Sequence, residues 1–384
     1  MRLIVPILAA MALLAVAAQL ASGGGEPKVV RDAAGLAAAL ERARGGEVLQ
    51  LAPGNYGTLS LYRRHFAQPV TITSQDPQKP ALVERLQLNE VSNVTFSELE
   101  FGGALRSNEK EYSKYAEVRD SQDLRFDRVF IHGSLDSNAE NDGWGIYFGD
   151  CKNIALTNSR IQQVMRAAVF ERSSNIAVKQ NSFAEMRSDG ANFASVQNVV
   201  VDMNRFSGFH PVGTDHGDAI QFWTLSGPQS TDIVISNNVL LEGEGTGPQG
   251  ILMNGARTGP YLRVKVINNL LYSSGAWHGI AIDNAEDVEV RGNSTLSRQN
   301  DEMVFWISLS AIKNAVVEDN VAERLIRVDV EQGEFRNNLI LSDDPGMTGK
   351  IKGINRGPKA IEGELVLPRR GYQPTAVPAG QAGN

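Results

Sequence analysis

Cysteine is almost missing from this chain: a single Cys151 among 384 residues excludes an internal disulfide and any metal site built from cysteines. It falls between a strand signal and a turn and reads as a small buried side chain. Aromatic residues are scarce at 7 %, while glycine is plentiful at 37 residues, which suits a long thin core of Val, Ile and Leu better than a compact globule. No basic run is dense enough to follow a phosphate backbone, and the formal net charge is −7. Nucleic acid is therefore not an expected partner. Helix-length apolar periodicity occurs in one short segment only, and a membrane-length apolar stretch only at the N-terminus.

What the chain does have is a phrase that returns every 22 to 34 residues: a small polar residue, then an apolar-x-apolar triplet. It reads Asn93-Val94-Thr95-Phe96, Asp123-Leu124-Arg125-Phe126, Asn153-Ile154-Ala155-Leu156, Asn175-Ile176-Ala177-Val178 and Asn198-Val199-Val200-Val201, and continues through Asp232, Arg263, Asp287 and Asn314. A fixed motif with elastic spacing marks a repeat array, and alternation marks a short half-buried strand. A second strand recurs as Ile146-Tyr147-Phe148, Ala168-Val169-Phe170, Ala191-Asn192-Phe193, Ile220-Gln221-Phe222, Ile251-Leu252-Met253 and Ile280-Ala281-Ile282. Short strands joined by polar turns describe coils of an all-β, right-handed, single-stranded parallel β-helix. About ten coils are expected between residues 48 and 367, with Phe96, Phe126, Phe148, Phe170, Phe193 and Phe222 in one core. Asn181, Asn204, Asn238, Asn269, Asn293, Asn320 and Asn338 recur after the strands as stacked turn asparagines.

The ends read differently. Residues 1–22 carry Arg2, an apolar stretch from Leu3 to Ala18 and a small-residue cleavage site, the pattern of a secretory signal. An uncleaved anchor is the alternative, since the apolar stretch runs nearly to Ala21. A secreted or periplasmic protein, monomeric and with no membrane span after signal cleavage, is the expectation. Residues 23–47 form an N-terminal cap whose helix from Asp32 to Arg44 covers the open end of the stack. Residues 368–384, rich in Arg, Pro, Gly, Gln and Ala, read as an unordered tail.

Aligning the second strands by their apolar pairs puts Trp144, Arg166, Asp189, Asp218, Gln249 and His278 in one column, each followed by Gly or Ala. With rungs about 4.8 Å apart, Arg166, Asp189 and Asp218 can act together. The segment FHPVGTDHGDAIQFW from Phe209 to Trp223 is the densest in chemistry, holding two of the five histidines. His216 exchanges a proton most readily near neutral pH. Asp215 and Asp218 lie on either side of it, placed to orient the imidazole or to share a calcium ion. Gln221 and Trp223 face outward, and Trp223 has the shape to stack on a sugar ring. Insertions at 103–121, 134–143, 207–217, 226–231 and 242–249 would rise as groove walls. The first holds Arg106, Lys110, Tyr112, Lys114 and Tyr115, a mixture of cations and rings suited to an anionic sugar chain.

The helix LAAALERARGGEVLQLAPGNY, the stretch PVTITSQDP from Pro69 to Pro77 and the coil SNVTFSELEF from Ser92 to Phe101 resemble the pectate-lyase-like superfamily of right-handed β-helix proteins, and its chondroitinase B and alginate lyase branch in particular. That branch carries a catalytic Lys in a Lys-Ser pair and a catalytic Arg in an Arg-His-Gly run, neither of which occurs here. The resemblance implies a β-helix acting on an acidic polysaccharide. The first reading is a polysaccharide lyase that cleaves a uronate-containing chain by β-elimination. In it His216 is the base, Arg166 or Arg187 neutralises the carboxylate, and Asp189, Asp215 and Asp218 orient these groups or, in the case of Asp215 and Asp218, bind calcium. Gln221, Trp223, Gln249, His278 and Arg187 line the substrate path. The alternatives are a glycoside hydrolase using Asp189 and Asp218 as acid and base, a uronate epimerase sharing the lyase's first step, and a polysaccharide-binding or assembly protein without catalysis.

Overall fold

In the computed structural model, which describes residues 26–255, 259–273, 278–297, 303–343 and 370–375, the repeated phrases become the rungs of a right-handed parallel β-helix of about ten coils. Every strand pairing among the described residues is parallel, and the strands form a 19-stranded and an 11-stranded sheet. The wide sheet takes two strands from most coils, as in Trp144–Gly149 followed by Lys152–Thr157. The narrow sheet takes strands of two to four residues, such as Arg160–Gln162 and Ser182–Ala184.

The polar residue that opens each phrase has a backbone reason. Asn93, Asp123, Asn153, Asn175, Asn198, Asp232, Asp287 and Asn314 all adopt φ between 55° and 67°. Asn and Asp tolerate this left-handed corner better than other side chains do. They also tie neighbouring coils together: Asn175 Nδ2 donates to Asn153 Oδ1 at 2.7 Å, and Asn198 Nδ2 to Asn175 Oδ1 at 3.0 Å.

Inside the coil the expected phenylalanines stack. Ring centroids are 5.0 Å apart for Phe96 and Phe126, 4.9 Å for Phe148 and Phe170, 5.1 Å for Phe170 and Phe193, and 4.6 Å for Phe193 and Phe222. All six are fully buried. A second buried column is polar: Oδ1 of each turn asparagine accepts both the backbone N–H and the side-chain N–H of its counterpart one coil earlier. Asn181 donates to Asn204 at 3.0 Å from both nitrogens, Asn204 to Asn238 at 3.0 Å and Asn238 to Asn269 at 2.9 Å. The ladder runs on to Asn338, and each Nδ2 also donates to a strand carbonyl.

At the N-terminal end the helix spans Ala33–Arg42; Asp32 is its cap, and it stops two residues short of the expected Arg44 because Ala43 is already extended. Asp32 caps it by accepting from Gly35 N at 2.7 Å. Leu36, Ala39 and Leu40 are buried against the first coil. A short strand, Lys28–Val30, precedes the helix and pairs with Val48–Leu51. The expectation of an unordered tail does not hold for residues 370–375. Tyr372 is buried beside Leu270 and Val321, its N–H donates to Ser294 Oγ at 2.9 Å, and Gln373 N donates to Asn268 Oδ1 at 2.7 Å. One aromatic in an otherwise polar segment anchors it. The signal reading and the rest of the tail fall outside the described residues, and no described helix is long and apolar enough to cross a membrane.

Candidate active site

The column deduced from the sequence is in register. Strand pairings set Trp144, Arg166, Asp189, Asp218, Gln249 and His278 at equivalent positions of successive coils, and Lys114 precedes Trp144. The small residue after each column member is a packing requirement. A Cβ on Gly190, for example, would lie 2.6 Å from the Ala219 carbonyl oxygen of the next coil. At two of these positions the column residue lies beside the residue three further on, to which it is hydrogen-bonded.

Two such pairs build the centre. Asn192 Nδ2 donates to Asp189 Oδ2 at 3.1 Å and to Gln221 Oε1 at 3.1 Å, and Gln221 Nε2 donates to Asp218 Oδ2 at 3.0 Å. Asp189 Oδ1 accepts from Asp218 N at 3.2 Å. The array has charged side chains above and beside it. Arg166 Nε lies 3.5 Å from Asp189 Oδ2, His216 Nδ1 lies 3.0 Å from Asp218 Oδ2, and His278 Nε2 lies 2.7 Å from Asp218 Oδ1. Asp189, Asp218 and Asn192 are fully buried, whereas the His216 side chain is 54 % exposed and that of Arg166 30 %. Buried carboxylates thus support an accessible imidazole and guanidinium. Asn192 Oδ1 and Arg166 Nε are buried without a hydrogen-bond partner among the described residues.

This arrangement pushes the ionisable groups apart. Burial, reinforced by the charge of Asp218 and opposed by Arg166, raises the Asp189 carboxyl to about 6. Burial also pushes Asp218 up, but the hydrogen bonds from His216 and His278 outweigh it and leave the carboxyl below its ordinary value. The bond to Asp218 raises His216 against the effect of its own partial burial.

Other expected residues are placed differently. Arg187 is held 2.7 Å from both Asp215 and Glu111, which fastens the 207–217 loop and leaves Arg166 as the guanidinium at the centre. Asp215 therefore faces Arg187. The described group with metal-ligand geometry is instead Asp189, His216 and Asp218, whose donor atoms lie within 4.8 Å of one another. Calcium takes six to eight oxygens, whereas here one donor is an imidazole and both carboxylates already accept N–H bonds, so the set does not fit that ion. Gln249 is half-buried on the rung between Asp218 and His278. Trp223 stands at the far end of its strand, beside Ala194. The insertions 134–143, 207–217 and 242–249 do form walls, but of a separate groove of about 880 Å³ lined by Asn138, Glu140, Gln163, Glu185, His210 and Glu244 and by none of the column residues. Asn192 is the site residue the sequence reading passed over, since it occupies the middle of a strand triplet; its alignment with Gln221 was the available signal.

The sequence profile of a right-handed beta-helix region matches residues 117–254. No curated protein sequence matches the chain. Among solved structures, the Dettilon tailspike protein is 15 % identical with a TM-score of 0.50, the match covering 80 % of this chain and 64 % of the tailspike. An alginate lyase from Paenibacillus is 14 % identical with a TM-score of 0.40, covering 82 % of this chain and 99 % of the lyase. The Streptococcus pneumoniae surface protein and adhesin PfbA is 12 % identical with a TM-score of 0.45, covering 86 % and 94 % respectively. The chain spans less than two thirds of the tailspike's length. The fold is that of a right-handed parallel β-helix.

Proposed function

We propose that this protein is a polysaccharide lyase, acting outside the cytoplasm, that cleaves a uronate-containing chain by β-elimination. The observation that carries this reading is the division of exposure: the two carboxylates are buried, and the groups able to touch a sugar are His216 and Arg166. Asp218, held by His278 and Gln221, fixes His216 through Nδ1 and leaves Nε2 to face the substrate. Arg166 pairs with the substrate carboxylate, so that charge can build on it as the neighbouring proton leaves. That proton passes to His216 Nε2, its electron pair forms the new carbon–carbon double bond, and the bond to the glycosidic oxygen breaks. The imidazolium returns the proton to the departing oxygen. Asp189, 3.5 Å away, offsets part of the charge of Arg166.

A hydrolase using Asp189 and Asp218 is disfavoured, because neither oxygen pair reaches the surface where a glycosidic bond and a water would lie. An epimerase would share the first proton transfer. The test is incubation with alginate, pectate and glucuronan, with and without calcium. Elimination raises ultraviolet absorbance as chains shorten; reducing ends without absorbance indicate hydrolysis, and unaltered polymer indicates a binding protein. Activity should climb as pH rises through the raised His216 value, since only the neutral imidazole accepts the proton.

A further inference from the structure

The column continues beyond Arg166 towards the N-terminus, and its character changes there from carboxylate and imidazole to cation and ring. Lys114 and Trp144 are paired across adjacent rungs. The Lys114 ammonium lies 5.4 Å from the ring centres of both Trp144 and Tyr147, and the Arg166 guanidinium lies 5.1 Å from that of Trp144 on its other side. Neither cation is fully neutralised. The carboxylate recorded beside Lys114 is Glu117 at 4.0 Å, and Arg166 reaches Asp189 at 3.5 Å without a hydrogen bond. The neighbouring arginines are satisfied by contrast, Arg119 by Glu117 at 2.8 Å and Arg187 by two acids. The indole Nε1 of Trp144 is a buried donor with no partner among the described residues. Two under-neutralised cations around a ring that keeps an unused N–H are therefore gathered at one step of a protein whose net charge is −7.

We infer that Lys114 and Trp144, on the two rungs N-terminal to Arg166, form a second carboxylate-binding subsite, which holds the uronate next to the one whose carboxylate Arg166 pairs with. This rests on the lyase reading for the identity of the reacting residue. Lys114 and Arg166 flank the ring, and a carboxylate drawn to Lys114 beside it completes the hydrogen bonding of the ammonium and the indole. Substrate direction follows: the acidic sugar must extend from the reaction centre towards the N-terminal cap. Of the cations and rings in the 103–121 insertion, Lys114 is the one delivered to this face. Arg106 pairs with Glu84 at 2.8 Å, and Tyr115 is buried with its hydroxyl accepting from Gly143 N at 3.1 Å.

The experiment uses His216→Ala protein, which cannot turn over, titrated calorimetrically with oligouronates from alginate, pectate and glucuronan, with their carboxyl-reduced counterparts, and with sulfated neutral oligosaccharides. Adding Lys114→Met should weaken oligouronate binding by about tenfold or more, the size of one charged hydrogen bond, and Lys114→Arg should restore most of it. In protein with His216 intact the same loss should appear in KM. Oligouronate should change the intrinsic fluorescence, and that change should disappear in Trp144→Phe but persist in Trp223→Phe. Equal affinity for reduced and unreduced chains, unchanged affinity in Lys114→Met, or preference for the sulfated neutral chain would each overturn the proposal. Lys114-dependent binding by a protein that leaves every polymer uncut would uphold the subsite while removing the lyase reading.

Discussion

Two columns of polar side chains descend this molecule, one buried along nearly its whole length and the other part-exposed, and they are built on opposite plans. The turn asparagines from Asn181 to Asn338 are alike on every coil, uncharged, and paired by both nitrogens and the oxygen. The column from Lys114 to His278 uses a different residue on every rung apart from the two aspartates, mixes charge of both signs, and leaves Arg166 Nε and Trp144 Nε1 unused. Burying polar groups is costly unless their bonds are completed. A homogeneous, completed ladder holds the stack together; a heterogeneous, incomplete one leaves polar atoms open, which is what the proposed site requires. Repetition of position is thus shared by scaffold and site, and repetition of residue type distinguishes them.

The contrast is broken most forcefully at His216. Replacing it with Ala should lower the elimination rate about a thousandfold, roughly 4 kcal/mol of barrier, while a half-exposed imidazole should leave the denaturation midpoint almost unmoved. Asn238→Ala should do the reverse. It removes the acceptor of Asn204 N, one of the two acceptors of Asn204 Nδ2 and the side-chain donor to the Val201 carbonyl, so stability should fall by about 3 kcal/mol in chemical denaturation with activity per folded molecule retained.

A smaller effect concerns pH. The Asp189 carboxyl is raised to about 6 from an ordinary value of 3.8, so the folded protein binds more protons than the unfolded chain between those limits. Stability should be greatest below pH 4 on this account and decline by about 2 kcal/mol as pH rises to 6. In Asp189→Asn that slope should vanish, and a slope unchanged by the substitution would sink the assignment. The smallest effect is expected at Trp223, which lies away from the Asp–His centre: Trp223→Ala should change turnover of polymer by less than about threefold.

The coils were legible because alternation, the left-handed Asn or Asp and the stacked Phe residues each leave a periodic mark, and all three agree. The column was legible for a related reason: a Gly or Ala after each member betrays the close approach of coils. What the sequence concealed was depth and distance. Asp189 and Asp218 look like turn residues in a Gly-rich context, and only the packing of Arg166, Asn192, Gln221 and His278 over them makes them buried supports. Asp215 and Arg187 appeared free for calcium or substrate until their mutual pairing at 2.7 Å was seen. Tyr372, a lone aromatic in a polar tail, gave too little pattern to announce that it returns to the solenoid near Ser294.

The contact between His278 and Asp218 passes over the Gln249 rung, spanning about 10 Å of solenoid axis in one hydrogen bond. Solenoids change by gaining and losing whole coils, and most such events here would merely lengthen or shorten the rod. An added coil between residues 218 and 278 would carry the imidazole out of reach, and a deleted one would drive it into the carboxylate. Those two coils are therefore bound to be inherited together, and the stretch from Lys114 through His278 is the smallest cassette that could be transplanted into another β-helix with its chemistry intact.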